Sequence, residues 1–168
     1  MQQLCQQRVG LLRNGILAQQ RGENLLVGVR LQGSQVMRDQ ISLFFFYLGV
    51  GLLFSHELDA VVQSEWRLLY GLRGLPDDEA MQAFIWLHVP LFGLIVWLTH
   101  HGAFSVRFWS RVVFSAFLIV HAGLHFRLST SPLYTFDSTL SVVLIYGAAL
   151  AGLTYLACIK WSPSPNDA

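Results

Sequence analysis

Apolar and polar positions alternate along this chain in long blocks. One apolar block begins at Ile41 (ISLFFFYLGVGLLF), a second runs from about Met81 to Thr99, a third from about Arg111 to Phe126 and a fourth from about Thr139 to Ile159. A helix needs roughly 20 residues to cross a hydrocarbon core, so the first block must continue past Ser55 through HELDAVV if it is to span. Its polar end is therefore part of the span. Backbone groups in lipid have to be paired within the segment, which makes all four spans helices. The pattern predicts an all-α, integral membrane four-helix bundle with spans at about 41–62, 81–99, 111–126 and 139–159, inside a domain covering 37–160 and followed by a tail, 161–168. Pro90 is expected to bend the second helix just after His88. Gly147, Ala148, Ala149, Ala151 and Gly152 put a small-residue stripe on the fourth helix, a face through which the chain is expected to form an oligomer.

The segment between the first two blocks carries a shorter period. In VVQSEWRLLYGL the apolar residues Val62, Trp66, Leu69 and Tyr70 recur at helical spacing, so the first helix is expected to continue as an amphipathic cap on the membrane surface before a turn at Gly71, Gly74 and Pro76. Asp77, Asp78 and Glu79 suit the positive N-terminal end of the second helix.

Composition sharpens the same picture. Only 12% of the 168 residues are charged, against about 25% in a typical soluble domain. The net charge of +1, with no basic patch interleaved with exposed aromatics, argues against a nucleic-acid partner. Cys5 and Cys158 stand at opposite ends of the chain and read as free thiols. Residues 1–36 have no convincing periodicity and no signal peptide; they read as an N-terminal arm, either disordered or lying upstream of a true start at Met37. With four crossings, Arg8, Arg13, Arg21, Arg30, Arg38, Arg107, Arg111 and Lys160 fall on one side and Arg67, Arg73 and Arg127 on the other. Both termini are therefore expected in the cytoplasm, with the chain a multi-pass protein of a cell inner membrane.

Topology then brings chemistry-bearing residues together. Counted from the cytoplasmic ends at a rise of about 1.5 Å per residue, His56 lies about 22 Å across, His88 about 16 Å, His121 about 15 Å and His125 about 21 Å. Four histidines on three helices share one layer in the non-cytoplasmic half. His121 and His125, four apart, share a helix face, as do His56 and Asp59, three apart. His100 and His101 end the second span on the opposite side and cannot join them.

Ionisable groups inside a bilayer point to a functional site facing the bundle interior. Imidazoles with a carboxylate form the donor set of a divalent transition metal, zinc or iron above all. The expected ligands are His56, Asp59, His88, His121 and His125, any four of them sufficing. Glu57 or Glu65 would act as general base toward water in a metal-dependent hydrolase with a lipid-phase substrate. No metalloprotease spacing such as H-E-x-x-H occurs, so whether the chain is an enzyme stays open. One alternative is a haem b electron carrier with His88 and His121, at nearly equal depth on separate helices, as axial ligands. Another is a non-catalytic subunit whose histidines and carboxylates hydrogen-bond one another and fix the packing.

HELDAVVQSEWR after the first span, LHVPLF in the second, FLIVHAGLHFRL in the third and IYGAALAGLTY in the fourth resemble a family of small, four-helix bacterial membrane proteins of unknown function. The likeness covers about residues 38–158. It implies the fold and a prokaryotic inner membrane, and no chemistry.

Overall fold

The computed structural model describes the backbone of residues 2–159 and the side chains of residues 32–159. Four α-helices and no strand occur among the described residues: α1 (Gln2–Val62), α2 (Asp77–Thr99), α3 (Phe104–Leu128) and α4 (Thr139–Cys158), with a short 3-10 turn, Glu65–Arg67, after α1. Four helical stretches are long and apolar enough to cross a membrane: Gln32–Val62, Asp77–Thr99, Phe104–Leu128 and Thr139–Cys158. The chain divides into two compact units, residues 1–40 and 41–168. In the first, side chains 32–40 are all exposed. Cys5, Arg8, Arg13, Arg21, Arg30 and Lys160 lie outside the residues whose side chains are described, as does the tail 161–168.

In the second unit each helix buries one stripe at the 3.6-residue period. On α1 the stripe is Ser42, Phe46, Gly49, Leu53, His56 and Ala60; on α3 it includes Ser115, Leu118, Ala122 and His125. His56 and His125 are thus carried inward by the same periodicity that buries the apolar residues around them. On α4, Ser141, Leu144, Ile145, Ala148, Ala151, Gly152 and Tyr155 are buried. A Cβ added at Gly152 would meet the Ser115 carbonyl oxygen at 2.6 Å, so α3 and α4 approach almost backbone to backbone. Of the small residues of α4, Gly152 faces α3, and Ala148 and Ala151 lie beside Gly49 of α1.

Two apolar clusters form the core. One gathers Phe46, Leu53, Phe114, Leu118, Ala148 and Tyr155; the other gathers Ala60, Trp66, Ala80, Phe84, Ala122, Phe136 and Ile145. Along α1 and α3 the histidines fall where these clusters meet, since His56 stands between Leu53 and Ala60 and His121 between Leu118 and Ala122. Helix α2, with Pro90 inside it, buries only Ala80, Phe84 and Thr99. Arg111 donates from Nε to the Thr99 carbonyl at 2.9 Å and Arg107 donates to that of His101 at 2.7 Å, tying down its C-terminal end. Trp86, Leu87, Val89 and Trp97 on this helix are exposed. Soluble monomers rarely leave so much contiguous apolar surface uncovered.

The connection between α1 and α2 departs from the expected amphipathic cap. Ser64 adopts a left-handed conformation, φ 58° and ψ 45°, which ends the helix. Trp66 and Leu68 turn into the core while Val62 and Tyr70 stay exposed, so the expected stripe is split. Asp77 at the start of α2 closes the connection, accepting from Trp66 Nε1 at 3.0 Å and pairing with the Arg67 guanidinium at 2.6 Å.

Candidate metal centre

His56 on α1 and His121 and His125 on α3 each offer a ring nitrogen, and these three atoms lie within 4.8 Å of one another. The rings meet edge to face, with centroids 5.0 Å apart for His56 and His121, 4.9 Å for His56 and His125 and 4.7 Å for His121 and His125. His56 is fully buried and His125 nearly so. Glu65 reaches the same point from the 3-10 turn: Oε2 stands 3.6 Å from His56 Nε2 and Oε1 3.9 Å from His125 Nε2. The kink at Ser64 delivers this carboxylate, because a helix continued through residue 65 would carry it away from the histidines.

These groups do not satisfy one another. Among the described residues, six buried side-chain atoms have no hydrogen-bond partner, and four of them are His56 Nδ1 and Nε2, Glu65 Oε2 and His121 Nε2. Each such atom costs about 1–3 kcal/mol when left unpaired. Burial, helped by the nearby carboxylates of Glu57 and Asp59, pushes the Glu65 carboxyl up to about 8. The metal-free site therefore keeps Glu65 protonated at neutral pH, and its approaches to the two imidazoles are not charged ion pairs.

The loop between α3 and α4 completes the surroundings with two aromatic residues that sequence reasoning missed. Phe136, itself buried, packs its ring 5.4 Å from that of His56 and 4.8 Å from that of His125. Tyr134 Oη lies 3.3 Å from His125 Nδ1, and burial pushes this phenol up to about 12. A neutral phenol at Nδ1 leaves Nε2 of His125 to face the other ligands, the usual division of labour for a metal-binding imidazole. Both residues belong to the segment that topology places on the same side as the histidines, but nothing in their spacing marks them.

Of the five ligands expected from sequence, the structure groups His56, His121 and His125 and leaves Asp59 and His88 outside that group. Asp59 accepts from Gln63 Nε2 at 3.4 Å. His88 is engaged at both nitrogens, Nδ1 at 2.7 Å from the Phe84 carbonyl and Nε2 at 2.9 Å from Glu57 Oε2. Glu57, one of the two expected bases, is thereby held against α2, whereas Glu65, the other, stands at the histidines. His88 has no free nitrogen to serve with His121 as an axial ligand of haem. His100 and His101 are used elsewhere: His100 Nδ1 lies 3.0 Å from the Val96 carbonyl and its Nε2 3.3 Å from Tyr47 Oη on α1, and Ala103 N–H donates to His101 Nδ1.

Residues 42–161 match a family of unknown function, DUF6713. No curated protein and no solved structure matches the chain.

Proposed function

The chain belongs to this family of unknown function, so its chemistry has to be read from its own residues, and we propose that it is a membrane-spanning four-helix protein that binds one divalent metal ion through His56, His121, His125 and Glu65. The observation that carries this reading is the convergence within 4.8 Å of one ring nitrogen each from buried His56 and His125 and half-buried His121, with both nitrogens of His56 and Nε2 of His121 lacking any hydrogen-bond partner. A polar cluster serving only to fix the packing would pair its members internally, because an unpaired buried group costs far more than a paired one. A cation held by one nitrogen of each ring and by Glu65 would satisfy most of them at once.

The donor set fits. Zinc holds nitrogen ligands at about 2.0–2.1 Å in tetrahedral geometry, which places them about 3.3 Å apart. Binding would draw the three nitrogens together from their spacing of up to 4.8 Å, and Glu65 would supply an oxygen as fourth ligand. Three imidazoles and a carboxylate suit zinc or ferrous iron. When bound, such an ion supplies Lewis acidity toward water or a carbonyl group. Glu65, the carboxylate beside the histidines, would help hold the ion or take a proton from water, which makes a hydrolase of lipid-phase substrates the enzymatic form of this reading. The exposed apolar exterior supports insertion in a bilayer, and the balance of Lys and Arg supports cytoplasmic termini.

The test is metal content, visible spectrum and melting temperature, with and without chelator, of detergent-purified protein. About one equivalent of zinc or iron per chain is expected, with melting lowered by chelator. His56→Ala, His121→Ala and His125→Ala should lose metal and stability together; His88→Ala, His100→Ala and His101→Ala should keep the metal. Metal-free protein whose melting ignores chelator defeats the reading, and a Soret band would restore haem.

A further inference from the structure

The end of α2 and the start of α3 form a cationic corner. Between Glu79 and Asp137 the chain carries no Asp or Glu, whereas Arg107 and Arg111, four apart on α3, share a helix face. Arg107 donates from Nη1 to the carbonyls of His101 and Gly102 at 2.7 and 3.1 Å, and Arg111 donates from Nε to that of Thr99 at 2.9 Å. Each guanidinium also packs against a ring, Phe104 for Arg107 and Phe46 for Arg111. These contacts hold both groups at the end of α2, and Nη2 of Arg107 and both Nη atoms of Arg111 make no hydrogen bond among the described residues. Neither arginine has an ion-pair partner there, because the ion-paired carboxylates are those of Glu57, Glu65 and Asp77.

An apolar slot begins at this corner. A cavity of about 480 Å³ runs between α2 and α3, with α1 behind it, from Thr99, Trp109 and Ser110 at one end to Leu91 and Phe117 at the other. Thr99 lines it and receives the Arg111 bond, so that guanidinium stands at its mouth. From Leu91 to Thr99, and from Trp109 to Phe117, is about 12 Å at a rise of about 1.5 Å per residue. One leaflet supplies about half of a hydrocarbon core roughly 30 Å thick, so the slot is about as deep as a leaflet. Leu91, Val113 and Phe117 on its walls are exposed, which opens it sideways to the lipid around the helices. Glu57, its one ionisable lining residue, lies at the inner end, 2.9 Å from His88.

We propose that slot and corner together bind an anionic phospholipid of the leaflet on the α2–α3 loop side, with one acyl chain between α2 and α3 and the phosphate on Arg107 and Arg111. Charge selects the headgroup. Guanidinium groups with unused N–H donors suit phosphate oxygens, and with no carboxylate at this end an ammonium or choline group meets only like charge. Trp109, exposed at the mouth, stands where an indole anchors at headgroup level. The site rests on the reading that these helices cross a bilayer and is independent of the metal.

The experiment is photolabelling of the full chain in phosphatidylcholine nanodiscs that contain, at equal mole fraction, either phosphatidylglycerol or phosphatidylcholine with a diazirine on one acyl chain, the labelled residues being located by mass spectrometry. Phosphatidylglycerol should label Leu91, Ile95 and Val113 about tenfold more than phosphatidylcholine does. Arg107→Gln with Arg111→Gln should erase that preference, and Arg107→Lys with Arg111→Lys should retain most of it. Because the arginines also hold the end of α2, Ser110→Glu is the second variant: it leaves both in place, adds an anion at the mouth and should likewise erase the preference. Ile95→Trp, which fills the slot, should remove labelling of these residues by either lipid. The melting temperature of each variant reports that it is folded. Equal labelling by the two lipids in the parent protein, a preference that survives Ser110→Glu, or labelling that survives Ile95→Trp overturns the proposal while leaving insertion and metal binding untouched.

Discussion

Glu65 carries opposite demands in the metal-free and metal-bound protein. Buried beside Glu57 and Asp59, its carboxyl rises from an ordinary value of 4.5 to about 8, so the folded, metal-free chain holds a proton that the unfolded chain releases. The stability this proton contributes is complete below about pH 4.5 and is lost as pH rises toward about 8, a few kcal/mol at most at about 1.4 kcal/mol per unit. Metal requires the carboxylate, so affinity should move the other way and rise over the same interval. The check is melting of chelated and metal-loaded protein from about pH 5 to about pH 9, parent against Glu65→Gln, the difference isolating this residue from the histidines. A chelated parent that gains stability relative to Glu65→Gln as pH rises would contradict this assignment. The role of Glu65 was half legible in the sequence. Its presence on the right side followed from topology, but its distance from His56 and His125 depended on a turn that no periodicity announces.

That turn is the element on which the site depends. Ser64 is the one non-glycine residue with positive φ among the described residues, and a left-handed conformation costs an ordinary residue roughly 1–2 kcal/mol. Ser64→Gly should relieve part of this and leave metal binding intact. Ser64→Val, with a branched Cβ that fits this region worst, should destabilise by about 1–2 kcal/mol and weaken metal binding by displacing Glu65. Thermal unfolding and metal titration of the two variants decide the matter; a valine variant as stable and as metal-replete as the parent would show that the kink is not required. The spacing of Val62, Trp66, Leu69 and Tyr70 suggested a continued amphipathic helix because helical periodicity is all that such a segment displays. The pull of the core on Trp66 and Leu68 is a tertiary effect, and it wins over the local pattern.

For the whole molecule, four apolar helices and a skewed distribution of Lys and Arg lead to one testable topology. A reporter fused at the C-terminus should be active only in the cytoplasm, and one inserted at Gly74 only outside it; the reverse result would sink the orientation. Gly74 lies in a loop with open space around it, so the insertion should not disturb the core. The number and helical nature of the bilayer-length apolar segments were determined by the sequence alone, because such a run, with its backbone bonds closed inside it, has no other stable form in lipid. Which histidines converge was decided only by tertiary structure. Depth along a helix follows from counting residues, but the side of the bundle to which a residue turns follows from which helices touch. The close α3 and α4 contact at Gly152 and the shared core with α1 bring His56, His121 and His125 together, while the looser placement of α2 leaves His88 to Glu57.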